Sequence, residues 1–234
     1  MDKNKDIFGI AIKAFYEKND KTDIIVHSPD FDDDVIPVAY LFRDFREMPE
    51  IEQTALENCH GKVLDVGCGA GSHALYLEKK RNLFVEAIDT STGAIEICKK
   101  RGLSNVFCKD FFHIKNEKFD TILMLMNGSG IIGKLENLEH FFNHSKSLLA
   151  ENGKILMDSS DLIYLFDDEI VETDQYYGEF EFSISYKNQK TDSFEWLYID
   201  PVLLEKLANA NGFKCEILQR GKNHDFLASL SINS

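Results

Sequence analysis

VLDVGCGAGSHALYL, residues 63–77, decides how this chain is read. An apolar run breaks into three glycines within five positions, Gly67, Gly69 and Gly71, and then resumes with a helical pattern. A strand, a glycine turn and a helix in that order leave backbone N–H groups and the positive end of a helix in a crevice at the carboxyl edge of a sheet, where a carboxylate or a ribose can sit. A glycine turn alone is weak evidence, because tight turns need glycine for steric reasons. Its surroundings carry more.

Outward from the turn, short apolar runs at Lys62 to Val66, Leu83 to Ile88, Val106 to Cys108, Phe119 to Met126 and Lys154 to Met157 alternate with helical patterns. That alternation predicts a parallel sheet with helices on both faces. In STGAIEICKKRG, Thr90 or Ser91 is the cap, Ile95 and Cys98 share a face, Lys99, Lys100 and Arg101 fill the last turn, and Gly102 is the stop. In LENLEHFFNHSKSLLAENG, Leu135, Leu138, Phe141, Phe142 and Leu148 form a stripe that Gly153 is expected to end. The tail departs from strict alternation. GEFEFSISYKNQKTDSFEWLYI reads as two strands around a turn at Asn188 to Thr191; a helix opening at Pro201 and the strands GFKCEIL and FLASLSI follow, the last two close enough to pair antiparallel.

Composition bounds the function. At 234 residues the chain suits one well-buried α/β domain. No stretch approaches the roughly 20 uninterrupted apolar residues of a membrane helix, and the N-terminus carries acids early with no small-residue cleavage pattern, so a cytoplasmic protein with no membrane partner is expected. The five cysteines, Cys59, Cys68, Cys98, Cys108 and Cys215, form no C-x-x-C pair and read as reduced thiols. A net charge of −14 argues against neutralising a run of phosphates, so no nucleic acid is expected. Half of that excess lies in residues 1–60, centred on Asp30 to Asp34, which read as a solvated loop.

Two nucleotide classes compete for the turn. The dinucleotide fingerprint G-x-G-x-x-G needs its third glycine where Ser72 stands, so G-x-G-x-G preceded by Asp65 is what remains. Asp89 closes the next apolar strand, 22 residues after Gly67, and its carboxylate has lone pairs enough for both hydroxyls of a ribose. Glycine turn and strand-end acid together are much stronger than either alone.

With these residues the chain resembles the class I S-adenosylmethionine-dependent methyltransferases. LDVGCGAG resembles their first motif, AIDTS their second, CKDFF continues the match, and FDTILMLMN resembles the fourth strand and its exit; the likeness covers residues 60–160 in order and spacing. It implies a Rossmann-like, doubly wound, mostly parallel seven-stranded sheet with an antiparallel terminal strand, a helical N-terminal lid and an inserted β-hairpin. It divides one domain into a lid (1–60), a cofactor core (61–160), the hairpin (176–200) and a terminal helix with a strand pair (201–234). Carried over by position, Asp65, Gly67, Cys68, Gly69, Ala70 and Gly71 hold the methionine end of S-adenosylmethionine, Asp89 the ribose, and Asp110 and Phe111 the adenine; Thr90 and Met126 complete the set.

The acceptor is less legible. An Asn/Asp-Pro-Pro-aromatic signature after the fourth strand, typical of nucleic-acid amino-methyltransferases, is replaced by Met126-Asn127-Gly128-Ser129-Gly130, and the paired-glutamate loop of protein arginine methyltransferases is missing. A small-molecule acceptor remains, with Tyr40, Asn127, Tyr164 and Trp196 as candidate pocket residues. No universal catalytic residue is expected, because the cofactor supplies the reactivity and the protein mainly supplies alignment; which residue, if any, acts on the acceptor is left open. A general base is needed only if the acceptor must lose a proton; His113 and His224 are possible bases, and His73 could meet the cofactor carboxylate. No metal is expected: Asn127, Asp158 and Asp161 are ordinary cap residues, and His140 and His144 share a helix face without a third ligand. A cofactor-binding sensor or partner subunit is the alternative. The hairpin is open to pairing across a dimer, to covering the pocket, or to neither.

Overall fold

The computed structural model describes residues 6–166 and 176–233. In chain order the helices are α1 (Ile7–Lys18), α2 (Glu50–Asn58), α3 (Ser72–Lys79), α4 (Thr92–Lys100), α5 (Leu138–Leu148) and α6 (Pro201–Ala210). The strands are β1 (Ile24–His27), β2 (Asp34–Ile36), β3 (Lys62–Val66), β4 (Phe84–Asp89), β5 (Val106–Cys108), β6 (Phe119–Met124), β7 (Leu149–Ser160), β8 (Glu179–Tyr186), β9 (Gln189–Lys190), β10 (Phe194–Leu197), β11 (Phe213–Arg220) and β12 (Asp225–Ile232). Seven of them make one sheet in the order β11-β12-β7-β6-β3-β4-β5. The pairs β3–β4, β4–β5 and β6–β7 are parallel, as the alternation predicts. The antiparallel strand is β12, last in the chain but inside the edge strand β11. A second sheet runs β10-β8-β1-β2, with β9 on β8.

The chain divides into two compact units: residues 1–48, 62–113 and 181–194, and residues 49–61, 114–180 and 195–234. In the first, β3 is buried from Val63 to Val66 and β4 from Val85 to Ile88, as expected of parallel strands covered on both faces. Helix α4 starts where Ser91 accepts the Ala94 amide at 3.0 Å, so Ser91 and not Thr90 is the cap. Asp6 caps α1 through the Gly9 amide at 2.9 Å and also takes the Gly93 amide of α4 at 2.8 Å, which pins the two helices where glycines let their backbones touch. Below them Ile7, Ala11, Ile12, Ile24, Val38 and Leu41 enclose Ala70, Ala94 and Ile97 in one apolar cluster.

Residues 1–60 were expected to be helical; the described part holds two helices and also the antiparallel pair β1–β2. Ile24, Ile25 and Val26 are β-branched, and β1 finds a partner in β8 of the expected hairpin, Val26 opposite Ile184. His27 locks that pairing, Nδ1 at 2.8 Å from Asp33 and Nε2 at 2.8 Å from the Ser185 hydroxyl. Residues 1–5 lie outside the described part.

In the second unit β6 and the core of β7 are buried, and β12 pairs with β7 along seven residues. Gly153 does not end the helical stripe. Helix α5 stops at Leu148 and the chain passes directly into β7, where Asn152 takes a left-handed φ of 60° and Gly153 packs so tightly that a Cβ would lie 2.9 Å from the Phe119 carbonyl. The bend shifts the β6–β7 register between Phe119 and Thr121. Strand β6 likewise ends at Met124, short of Met126. Pro201 opens α6 as expected, under an Asp200 cap that accepts the Val202 and Leu203 amides at 3.0 and 2.9 Å.

Candidate active site

In the first unit the turn after β3 bends through Gly67, Gly69 and Gly71 at φ 71°, 52° and 84°. These left-handed values explain why the glycines alternate. A Cβ on Gly71 would also press on Leu103 at 2.7 Å and Cys98 at 2.9 Å, whereas one on Gly69 would meet nothing within 4 Å. The Gly67 and Cys68 amides donate to the Ile88 carbonyl at 2.9 and 3.0 Å, and the Gly71 amide to the Cys68 carbonyl at 2.7 Å.

Asp89 ties the strand end to the turn. Its Oδ2 accepts the Gly69 amide at 2.9 Å and its Oδ1 the Ser91 amide at 2.8 Å. Burial raises its pKa above the usual carboxylate value, against the lowering effect of these hydrogen bonds. Each oxygen keeps a further lone pair.

Asp65 is 2% exposed. Burial pushes its pKa up to about 6, while nearby His73 and the Ala74 amide pull the other way. Its Oδ2 has no hydrogen-bond partner among the described residues. A buried carboxylate oxygen left in that state costs stability and fits a site that waits for a donor.

Asp110 accepts the Phe112 amide at 2.8 Å and heads the 3₁₀ turn Phe111–His113. Phe111 is buried, its ring 5.2 Å from that of Phe112. Thr90 is exposed beside Asp89, and Tyr40 is exposed with the Arg43 guanidinium 3.9 Å above its ring. Cys68 lies 3.9 Å from Cys98, sulfur to sulfur, and burial together with that neighbour raises its pKa well above the ordinary thiol value.

Ser72, the residue that breaks the dinucleotide pattern, donates its hydroxyl to the Leu41 carbonyl at 2.8 Å and lies 3.3 Å from Arg101 Nη1. Arg101 also donates to the Ala70 carbonyl. Sequence reasoning placed Arg101 only as a helix-end cation, because nothing local shows that its side chain reaches back 31 residues.

In the second unit the segment after β6 carries Met126 and Asn127 in succession at φ 67° and 58°. Two consecutive left-handed residues that are not glycine are strained. Asp158 of β7 holds them, Oδ2 accepting the Met126 amide at 3.1 Å and Oδ1 the Gly128 amide at 2.9 Å. The Ser160 hydroxyl donates to Asn127 Oδ1 at 3.2 Å. Trp196 packs against Gly130, where a Cβ would lie 1.8 Å from the indole. Tyr164 is exposed and stacks on His224 with centroids 4.5 Å apart. His140 and His144 stack at 6.3 Å, and no group of three or more metal-ligating side chains occurs among the described residues. No helix among them is long and apolar enough to cross a membrane.

The donor and acceptor set of the first unit fits an adenosyl amino acid: a buried acceptor without a partner at Asp65, a strand-end carboxylate at Asp89 and an open cradle over Gly69. Comparison with known proteins points the same way. Residues 57–216 match the Methyltransferase domain family. A SAM-dependent methyltransferase from Bacteroides fragilis, crystallised with S-adenosyl-L-homocysteine, is 48% identical over 98% of this chain and 96% of its own, with a TM-score of 0.92. Two more distant structures share the fold at 17% identity. A S-adenosylmethionine-dependent methyltransferase from Clostridium acetobutylicum covers 84% of this chain and 95% of its own at a TM-score of 0.61. The sugar N-methyltransferase KedS8 from Streptoalloteichus covers 82% and 89% at 0.57. A comparison with curated proteins returns no match. The chain belongs to the S-adenosylmethionine-dependent methyltransferases, with the Rossmann-like class I fold and S-adenosylmethionine as its cofactor.

Proposed function

We propose that the enzyme methylates a small molecule, with the glycine turn Gly67–Gly71 and Asp65 receiving the methionine end of the cofactor, Asp89 and Thr90 its ribose, and Asp110 and Phe111 its adenine. The observation that carries this reading is the Gly69 amide bonded to Asp89 Oδ2, which makes turn and strand-end acid one rigid unit. Met126 completes the cofactor set, and Tyr40, Asn127, Tyr164 and Trp196 are the acceptor contacts. The cofactor brings a sulfonium-activated methyl group that moves in line to a nucleophile. The chain's own contribution is alignment, which can be worth several kcal/mol of barrier. Asp65 binds as a carboxylate and Asp89 orients through its remaining lone pairs.

The net charge of −14 supports a small acceptor, since a polyanionic one would be repelled. Calorimetric titration with S-adenosylhomocysteine, with NAD as control, tests the cofactor residues; micromolar binding of the former alone is expected. Conversion of S-adenosylmethionine to S-adenosylhomocysteine dependent on an added small acceptor tests the rest. Cofactor binding with no turnover across amine, hydroxyl and thiol acceptors would favour a sensor or partner subunit.

A further inference from the structure

We infer that Cys98 of α4 and Arg101, the residue that follows α4, are positioning residues for the cofactor turn: Cys98 holds the Gly69 carbonyl and so aims the Ala70 amide at the carboxylate of the cofactor's amino-acid end, and Arg101 holds the Ala70 carbonyl in the next peptide and so fixes Ala70 from its other side. The inference rests on the cofactor reading above and adds two residues that lie outside the glycine motif. The contacts are specific. Cys98 Sγ donates to the Gly69 carbonyl at 3.2 Å, and Arg101 Nη1 donates to the Ala70 carbonyl. A trans peptide is planar, with its C=O and N–H pointing opposite ways. Fixing the Gly69 carbonyl toward α4 therefore turns the Ala70 N–H away from α4.

That amide stands out. The Gly67, Cys68, Gly69 and Gly71 amides each donate to a protein acceptor, whereas the Ala70 amide has none among the described residues although Ala70 is 2% exposed. A buried N–H without a partner is costly and rare. At the end of β3 and in its turn, a buried donor at Ala70 and a buried acceptor at Asp65 Oδ2 thus both lack a partner among the described residues. A free amino acid end offers the complement of both, a carboxylate and an ammonium.

Arg101 is itself held in place. Its guanidinium lies 4.9 Å from the Phe42 ring centroid, and Phe42 packs on Phe15 at 4.8 Å. Its Nη1 is also 3.3 Å from the Ser72 hydroxyl, which donates to the Leu41 carbonyl. The arm that fixes the Ala70–Gly71 peptide, whose own N–H donates to the Cys68 carbonyl, is thus braced by both the 3₁₀ turn Val38–Phe42 and the start of α3, and with Cys98 on the preceding peptide both sides of Ala70 are held. Lysine has no planar fork to reproduce this arrangement.

Calorimetric titration of the full chain with two ligands tests the assignment. S-adenosylhomocysteine carries the amino-acid end; 5′-methylthioadenosine keeps the adenosine and thioether and lacks it. Arg101→Met is expected to weaken S-adenosylhomocysteine about tenfold, the scale of a hydrogen bond to a charged group, while 5′-methylthioadenosine changes less than about twofold. Cys98→Ala is expected to show the same split more weakly, and Cys98→Ser, which keeps a donor, to recover it. Equal losses on both ligands would mean general loosening of the fold and overturn the assignment, as would unchanged S-adenosylhomocysteine binding in both Arg101→Met and Cys98→Ala. If Arg101→Met does not fold, Arg101→Lys and the Cys98 pair are read by the same split. Failure of the unmodified protein to bind S-adenosylhomocysteine would instead sink the cofactor reading itself.

Discussion

Asp65, buried, and Asp89, half-buried, are neighbouring acids of the first unit that play different parts. Asp89 is spanned by two backbone amides, so it is already an acceptor at work before any ligand arrives. Replacing it with alanine removes the ribose acceptor and unties Gly69, and is expected to weaken S-adenosylhomocysteine by about 1 to 3 kcal/mol in calorimetry. Unchanged affinity in a folded variant would sink the ribose role. Asp65 instead stores its cost. With a pKa of about 6 in the fold against 3.8 in the open chain, the neutral form is favoured on folding; that stabilisation is complete below about pH 3.8 and is lost as pH rises through about 6. Asp65→Asn stays neutral at all pH, so at pH 7.5 it is expected to raise the thermal midpoint of the ligand-free protein, by about 1 to 3 kcal/mol of stability, while weakening S-adenosylhomocysteine. An ammonium beside Asp65 favours the carboxylate, so ligand binding is expected to release protons near pH 6 and to weaken as pH falls through that value. Binding heats measured in buffers of different ionisation enthalpy would show the release, and a pH-independent affinity between 5 and 8 would remove Asp65 from the site.

At the scale of elements, the segment after β6 shows how one side chain governs several backbone positions. Asp158 reaches 30 to 32 residues back to take the Met126 and Gly128 amides, and without it two left-handed residues have little to hold them. Asp158→Ala is expected to destabilise the protein by about 2 to 4 kcal/mol in denaturant unfolding, through two charge-assisted hydrogen bonds and the strain they contain; a loss under 0.5 kcal/mol would show that the segment is held by packing alone. Gly130 offers a steric counterpart. A Cβ at this position would overlap the Trp196 indole, so Gly130→Ala must displace the ring, with an expected loss of about 1 to 3 kcal/mol and a shift in tryptophan fluorescence. Both dependencies join positions far apart in the chain. Neither Asp158 nor Gly130 carries a local sign of them, which is why sequence reasoning took Asp158 for an ordinary cap residue.

For the whole molecule, what was legible follows from locality. The strands of the large sheet announce themselves as apolar runs, the glycine turn by steric need, and Ser91, Gly102 and Pro201 by capping chemistry within a few residues. What was hidden depends on pairing at long range: β1 with β8, 158 residues apart at His27 and Ser185, and the Arg101 arm onto the turn. One consequence of the cofactor site concerns the stability of the folded chain as a whole. A ligand that binds only the folded state stabilises it by RT ln(1 + [L]/Kd), about 2.7 kcal/mol at a hundredfold excess over Kd. For a chain of 234 residues each kcal/mol moves the midpoint by roughly 2 to 4 °C, so S-adenosylhomocysteine at that excess is expected to raise it by roughly 5 to 10 °C. NAD, which the serine at position 72 disfavours, is expected to leave it unmoved. A single transition shifting as a whole would mean that cofactor binding is linked to unfolding of both units; a transition that splits, with only one part moving, would mean that the two units unfold independently and that the stabilisation stays within one of them.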